Sequence, residues 1–462
     1  MAQVRELAQA GRIVVVFHSK VYDLTAWARF HPGGDLAVMH MNGILLLILP
    51  VLIPIHHPFS IHPVTNYITN WLLNTTCKDA TDAIIAYHPD WVIDKKIPHF
   101  CVGELASTER TVSPKISQAY RALDLKIRDM GLYQTNYNFY IREVCKFAAL
   151  WVAAIYLILR YPTFYGVLAS SVCCAILWWQ AAFVVHDAGH SGITHDSWTD
   201  MVMGISLANF FGGLSVGWWK KNHNVHHIVT NDVEDDPDIQ HMPFMAVTSR
   251  LMNNIYSTYY KRVMDFDAVA KIMIPVQHYT FYILLALGRF NLYVNSIAHL
   301  TSKDRVPHRF LELTGITVFW IWYLSLLSTL RATPSLIVMH ILVSHMLTCI
   351  LHVQITLSHF GMDTSDVENE TFAEMAFRTT MDVDCPRWFD WFHGGLQFQV
   401  AHHLFPRVPR HNLRTLRPLI STFAKEHGLT YHNYEFIHGN WIVVRQLAKV
   451  AQEVSSALHK EN

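Results

Sequence analysis

Seven histidines in three short clusters set the tightest limit on how this chain can fold. The clusters are His186-Asp-Ala-Gly-His190, His223-Asn-Val-His226-His227 and Gln399-Val-Ala-His402-His403, each near a strongly apolar stretch. Histidines at i, i+4, or at i, i+3, i+4, project from one helix face, so each cluster can present several imidazoles to one point. Imidazole is largely neutral near pH 7 and ligates Zn, Fe, Cu or Ni, whereas carboxylate-rich oxygen sites suit Mg, Ca or Mn. Seven imidazoles exceed what one four-coordinate zinc takes. They suit a pair of irons, and iron beside a membrane points to oxygen chemistry on a lipid. Chance is a poor alternative. The chain carries 30 His among 462 residues, enough for one stray H-x-x-x-H pair but not for two His-His pairs at matching offsets as well.

Composition agrees with a membrane setting, with hydrophobic residues at 51% and charged residues at only 16%. Lys and Arg (36) balance Asp and Glu (36), so no nucleic-acid partner is expected. The seven cysteines are scattered without a C-x-x-C, which speaks against a disulfide framework and for a reducing, cytosol-facing environment. Residues 1–10 carry no apolar core of the kind a cleaved signal peptide needs. Apolar segments run roughly over 144–160, 163–185, 201–218, 272–288, 314–330 and 335–356. A spanning helix needs about 20 residues, so segments 201–218 and 272–288 are expected to be interfacial or re-entrant. Four crossings, taken as two hairpins, return all three clusters to one face. Basic residues there, such as Lys220 and Lys221, favour the cytosolic side. The acidic stretch from Asp232 to Asp238 reads as a solvated loop.

Residues 1–106 read as a small soluble module. Ile13 to Phe17 is a β-branched run, and Val21-Tyr-Asp-Leu-Thr25 leads into Trp27 as a strand enters a turn. His31-Pro-Gly-Gly34 comes next, its glycines allowing a close backbone turn.

With these motifs in view, the chain resembles a front-end desaturase, a membrane di-iron enzyme fused to an N-terminal cytochrome b5 domain. The resemblance covers nearly the whole chain and rests on HDAGH, NHNVHHIVTN, DPDIQHMPF and HGGLQFQVAHHLFPRVPRHNLR. Gln399 opens the third box where other membrane desaturases have His, the mark of the front-end class. The wording around the boxes is most similar to fungal Δ8 sphingolipid desaturases. The resemblance implies a mainly α fold. It would comprise a small α+β cytochrome b5-like haem-binding domain at 1–106, a connector at 107–141, a membrane-embedded helical fatty acid desaturase domain at 142–440 with about four transmembrane helices plus interfacial helices, and a C-terminal tail at 441–462. It also implies that His186, His190, His223, His226, His227, His402 and His403 are iron ligands, and that Gln399 ligates or holds a water. His359, in Ser358-His-Phe360, is by the same resemblance the further ligand after the last membrane helix. His352 reads instead as a helix histidine satisfied in place, and the offset of His195 does not match a ligand. Asp187 is expected to orient a neighbouring imidazole, because ligating histidines usually donate their other ring N–H. Val400-Ala401 stands where many members carry a Glu, a difference expected to tune activity rather than abolish metal binding.

In the N-terminal module the resemblance makes His31 and His88 the axial ligands of haem b, the latter closing Lys78-Asp-Ala-Thr-Asp-Ala-Ile-Ile-Ala-Tyr-His88. Two histidines leave no open position on that iron, which favours electron transfer. The family spacing runs Met41-Asn-Gly43 almost directly into Lys78-Asp79, yet residues 44–77 intervene. They begin with an apolar dozen that holds two prolines, too short to span and poor as a helix. The stretch reads as an unspliced intron or wrong gene model, with a membrane-docking loop or a regulatory insertion as alternatives, and it is expected to weaken haem binding.

The implied activity is O2-dependent introduction of a Δ8 trans double bond into the long-chain base of ceramide or a related sphingolipid. The resemblance further implies electrons from NADH through cytochrome b5 reductase, and a multi-pass protein of the endoplasmic reticulum membrane with haem domain and boxes cytosolic. Three other readings stay open: a Δ5 or Δ6 fatty acyl desaturase, a membrane hydroxylase, and a haem- or metal-binding membrane protein inactivated by the insertion.

Overall fold

The structure, a computed structural model, describes residues 2–42, 79–106 and 113–461; the insertion at 44–77 lies outside the described residues. In the N-terminal module, β1 (Val14–Phe17), β2 (Lys20–Asp23) and β3 (Cys101–Glu104) form an antiparallel sheet in that order. The β1–β2 turn is made by His18 and Ser19, both left-handed (φ 49° and 62°), as a two-residue hairpin matched to strand twist requires. All four β1 side chains are buried because the sheet is covered on both faces. Val14 and Val16 pack with Val4, Val21 and Leu105, whereas Val15 and Phe17 pack with Tyr22, Ala80 and Ile84. Helix α1 (Asp35–Asn42) precedes the insertion. Beyond it Asp79 bridges to Val16, and its carboxylate accepts from the Thr81 N–H at 3.0 Å, starting α2 (Thr81–Tyr87). The module thus closes from residues on both sides of the insertion.

The remainder is mainly helical, with two small two-stranded sheets among the described residues. Residues 107–141, expected as a connector, include α3 (Lys115–Asp129), whose Tyr120, Leu123 and Ile127 pack against Val400, Leu404 and Phe405 beside the third histidine cluster. Helix α4 (Tyr137–Arg160) and α5 (Phe164–Gly189) are joined by three residues and pack along their length. Among the described residues, four stretches are long and apolar enough to cross a membrane: Phe164–Gly189, Ala268–Thr301, Arg309–Ser328 and Pro334–Leu357. A bent pair, Ser197–Phe211 with Val216–Ile228, turns through 119°, consistent with the re-entrant reading of 201–218. The bend lies at Gly213, which is left-handed (φ +69°) and so close to Phe319 that a Cβ would meet its ring at 2.3 Å.

Segment 272–288 corrects the sequence reading. It is neither short nor interfacial in length but part of the 34-residue stretch Ala268–Thr301. Arg289 and the polar residues after it hide the continuation. The structure satisfies Arg289 internally: it donates to the Gly212 carbonyl at 2.6 Å and to Tyr293 at 3.1 Å, and lies 4.1 Å from the Trp178 ring centroid. The boundary expected at 440/441 falls inside a 26-residue helix, Phe436–Glu461. Its Val443, Leu447, Val450 and Val454 are buried at i, i+4, i+7, i+11.

The second cluster rides on α6 (Val216–Ile228), whose start is fixed twice. Ser215 caps it, accepting from the Trp218 N–H at 3.0 Å. The buried Glu312 carboxylate, from Arg309–Ser328, accepts from the Ser215 hydroxyl at 2.6 Å, the Asn209 amide at 3.1 Å and the Gly217 N–H at 3.2 Å. Glu312→Ala leaves these buried donors without their acceptor, and is expected to destabilise the protein by about 2–4 kcal/mol. Thermal unfolding in detergent measures this, with Glu312→Gln retaining part of the loss.

Candidate metal centre and haem site

The box histidines converge. His186, His190, His223, His227 and His402 each offer a ring nitrogen, and these atoms lie within 4.8 Å of one another; His226, His359 and His403 form a second such group. In the first group Nε2 of His223 lies 3.2 Å from that of His186 and 3.0 Å from that of His227, which is 3.1 Å from that of His402. The groups adjoin, the His227 and His403 rings stacking at 4.2 Å between centroids. The structure therefore brings His359 in with the seven box histidines, its ring 4.5 Å from that of His226.

Helix geometry accounts for the convergence. His186 and His190 end α5, and His223, His226 and His227 lie on the last turns of α6. The third cluster sits on a short helix, Gln399–Leu404, after two left-handed glycines, Gly394 and Gly395. At Gly394 a Cβ would overlap the Phe183 ring at 2.0 Å, so only glycine lets this turn approach α5. The buried Asp382 carboxylate holds that helix in place, accepting from the Val400 N–H at 2.8 Å, from the Gln399 N–H and from Tyr431. Burial raises Asp382 to about 6. Gln399 is buried one turn before His403.

Ring orientation comes from groups that the sequence reading missed. His226 Nδ1 is 2.8 Å from Asp236, which also accepts from the Asn231 N–H at 2.7 Å and is fully buried. His223 Nδ1 lies 3.8 Å from Asp238, which the Asn222 amide also bonds. His359 Nδ1 faces the Thr379 carbonyl at 3.2 Å. The segment Asp232–Asp238 is thus no solvated loop. It turns back onto α6, and its Asp236 fixes which nitrogen His226 points inward. The available signal was a D-P-D run nine residues beyond a box whose rings each need such a partner. Asp187 departs from expectation in the opposite sense. Its carboxylate accepts from Tyr140 at 2.8 Å and neighbours Arg410 at 3.6 Å, leaving His186 Nδ1 at 3.9 Å. It anchors α5 to α4. His352 is bonded to the Leu285 carbonyl, and His195 to the carbonyls of Ser191 and Tyr133, apart from both groups.

The donor set fits metal ions. Burial, reinforced by neighbouring imidazoles, pushes His359, His402 and His403 well below the usual imidazole range, so their rings are neutral with lone pairs free. Buried Nε2 atoms of His190 and His403 have no protein partner, which a cation between the rings would provide.

In the N-terminal module the His31 and His88 rings lie 5.8 Å apart between centroids, inclined at 60°. His31 Nδ1 is 3.2 Å from the Gly34 carbonyl and His88 Nδ1 is 3.1 Å from the Ile84 carbonyl, so both Nε2 atoms are the ones left to ligate iron. Burial lowers His31 to about 3 and His88 to about 4, keeping both neutral. Both ligand loops lie against the helical part. Asn224 donates to the Gly33 carbonyl at 3.2 Å, and Arg407 donates to the Ala86 and Ile85 carbonyls at 3.0 and 3.3 Å. Arg121 pairs with Asp82 at 2.6 Å and Arg128 with Asp90 at 2.5 Å.

Comparison with known proteins agrees with this geometry. Residues 161–435 match the fatty acid desaturase family, and residues 1–44 match the cytochrome b5-like haem/steroid binding domain. The chain belongs to the fatty acid desaturase family. A Delta 8-(E)-sphingolipid desaturase of Komagataella phaffii is 38% identical over 98% of this chain and 93% of its own length. A protein of the same name from Candida albicans is 43% identical over 78% of this chain and 63% of its own. An acyl-lipid (9-3)-desaturase of Borago officinalis is 33% identical over 96% and 90%. This desaturase is a membrane protein acting on a lipid, its family implying a pair of irons and its N-terminal domain implying haem. The cytochrome b5 match stops where the insertion begins.

Asp236→Ala leaves His226 without its orienting carboxylate and is expected to weaken iron binding at the three-imidazole group about 10–100-fold. Iron retained after dialysis against a graded chelator series reads this directly.

Proposed function

We propose that this desaturase introduces a trans double bond at C8 of the long-chain base of ceramide or a related sphingolipid. It uses O2 and takes electrons from NADH through cytochrome b5 reductase, with haem domain and boxes on the cytosolic face of the endoplasmic reticulum membrane. The observation that carries the desaturase chemistry is the convergence of eight imidazoles, in groups of five and three, beside the ligand loops of a haem-type domain. The sphingolipid assignment is supported by likeness to the fungal relatives that bear that name.

Two irons, when bound, supply an O2-derived oxidant strong enough to take two hydrogens from adjacent methylenes. The chain's own residues do the rest. His186, His190, His223, His227 and His402 hold one iron, and His226, His359 and His403 hold the other, with Gln399 as a further ligand or the holder of a water. Asp236 and the Thr379 carbonyl keep Nε2 of their imidazoles inward. His31 and His88 hold the haem, and the contacts of Arg121, Arg128, Asn224 and Arg407 keep it beside the boxes. Such tethering raises the donor's effective concentration. The balance closes: O2 takes two hydrogens from the substrate, plus two electrons and two protons, and leaves as two waters.

The test is expression in a yeast host that makes no Δ8-unsaturated base, of both the whole chain and a form lacking 44–77, with double bonds located by mass spectrometry of released long-chain bases. Δ8 product from either form supports the proposal, and product from the shortened form alone marks 44–77 as an error or an off-switch. Absence of product from both, with two irons retained, contradicts the sphingolipid assignment in favour of a fatty acyl substrate. His402→Ala in the productive form is expected to lower product at least about 100-fold.

A further inference from the structure

Among the side chains by which the haem module meets the histidine boxes, Tyr87 belongs to neither ligand set and touches a box histidine itself. Tyr87 ends α2 and is covalently next to His88. Its hydroxyl donates to the His227 carbonyl at 3.3 Å, and its ring packs edge-on to the His227 imidazole at 6.0 Å between centroids. His227 belongs to the five-imidazole group and stacks on His403 of the three-imidazole group. One peptide link and one side-chain contact therefore join a haem-ligand residue to both metal groups. The junction is clamped. Arg407, 5% exposed, donates to the carbonyls of Ile85 and Ala86, the two residues before Tyr87. These are among the last carbonyls of α2, which lack helical partners of their own.

A second contact offers a longer path: from His31 through Pro32 to the Gly33 carbonyl, across to the Asn224 amide at 3.2 Å, then to His223. It inserts two more residues and ends on the same α6 helix. Electron tunnelling weakens with each added bond and more steeply with each gap, so the Tyr87 path is favoured.

We propose that Tyr87 is the electron bridge between haem and metal centre, and that Arg407 is the positioning residue that holds it against His227. The inference rests on the reading that the chain carries haem and two irons. In each transfer one electron leaves a ferrous haem, which becomes ferric, and reduces one ferric iron of the pair to ferrous. Tyr87 is neither oxidised nor reduced. The haem is re-reduced by an external one-electron donor, and two such transfers supply the electrons of one turnover.

The test uses the whole chain loaded with haem and iron, oxygen-free and without lipid, so that no product is involved. A photo-generated one-electron reductant reduces the haem in a flash, and decay of the ferrous haem band tracks transfer to the iron pair. Tyr87→Leu is expected to slow that decay at least about tenfold, and Tyr87→Phe by no more than about threefold. Haem spectrum, haem potential, iron content and the initial flash reduction stay as in the parent. Arg407→Gln is expected to slow the decay and make it multiphasic, with Arg407→Lys restoring part of the rate. Parent-like decay in Tyr87→Leu with both cofactors in place overturns the bridge, as does slowing by Asn224→Ala without slowing by Tyr87→Leu. A decay rate that rises with protein concentration overturns it too, because the electron then comes from another copy. Absence of a bis-imidazole haem spectrum in the parent overturns both this inference and the haem assignment beneath it.

Discussion

Imidazoles packed nitrogen to nitrogen are the condition on which the rest of this structure depends. Ring nitrogens of His186, His223, His227 and His402 stand about 3 Å apart in sequence around one point. A neutral imidazole has one donor and one acceptor, and Nδ1 of His359 and of His403 is already directed at a carbonyl and a hydroxyl. Lone pairs converging in a buried space are costly unless a cation takes them. Such a site could not be assembled from one element. It draws on the end of α5, the end of α6, the second residue after the last span and a six-residue helix far along the chain.

The scaffold around it works to hold those four pieces in register. Glu312 fixes where α6 begins, Asp382 fixes where the third box begins, and Asp236 folds back to set the orientation of His226. Each is a carboxylate buried wholly or in large part, and each has specific donors to offset its desolvation. Arg289 meets the same requirement inside a span, through a carbonyl, a tyrosine and an aromatic face. Glu312 and Arg289 stand within membrane-spanning stretches, where partners have been built for each.

The parts legible in the sequence were those set by local periodicity. Offsets of three and four place imidazoles on one helix face whatever surrounds them, so the boxes could be found directly. Resemblance added His31, His88 and His359, and the structure brings the first two rings within 5.8 Å of each other and the third among the boxes. What stayed hidden depends on long-range contacts. Asp236 and Asp238 looked like a solvated acidic run because nothing local shows that the loop turns back onto α6. Asp187 looked like a ring-orienting group because adjacency in sequence is a poor guide to which way a helical side chain points. The span at Ala268–Thr301 was underestimated because Arg289 interrupts its apolar run. Residues 107–141 and 441–462 read as connector and tail because their polar faces mask the stripe carrying Tyr120, Leu123 and Ile127, and that carrying Val443, Leu447 and Val450.

The most direct measurement is non-haem iron per chain in the purified protein, counted by mass spectrometry of the metals alongside quantitative amino-acid analysis. Two separate imidazole groups predict two non-haem irons per chain, falling to one when His359 is replaced by Ala. A single bound metal, or zinc in place of iron, would contradict the two-iron assignment.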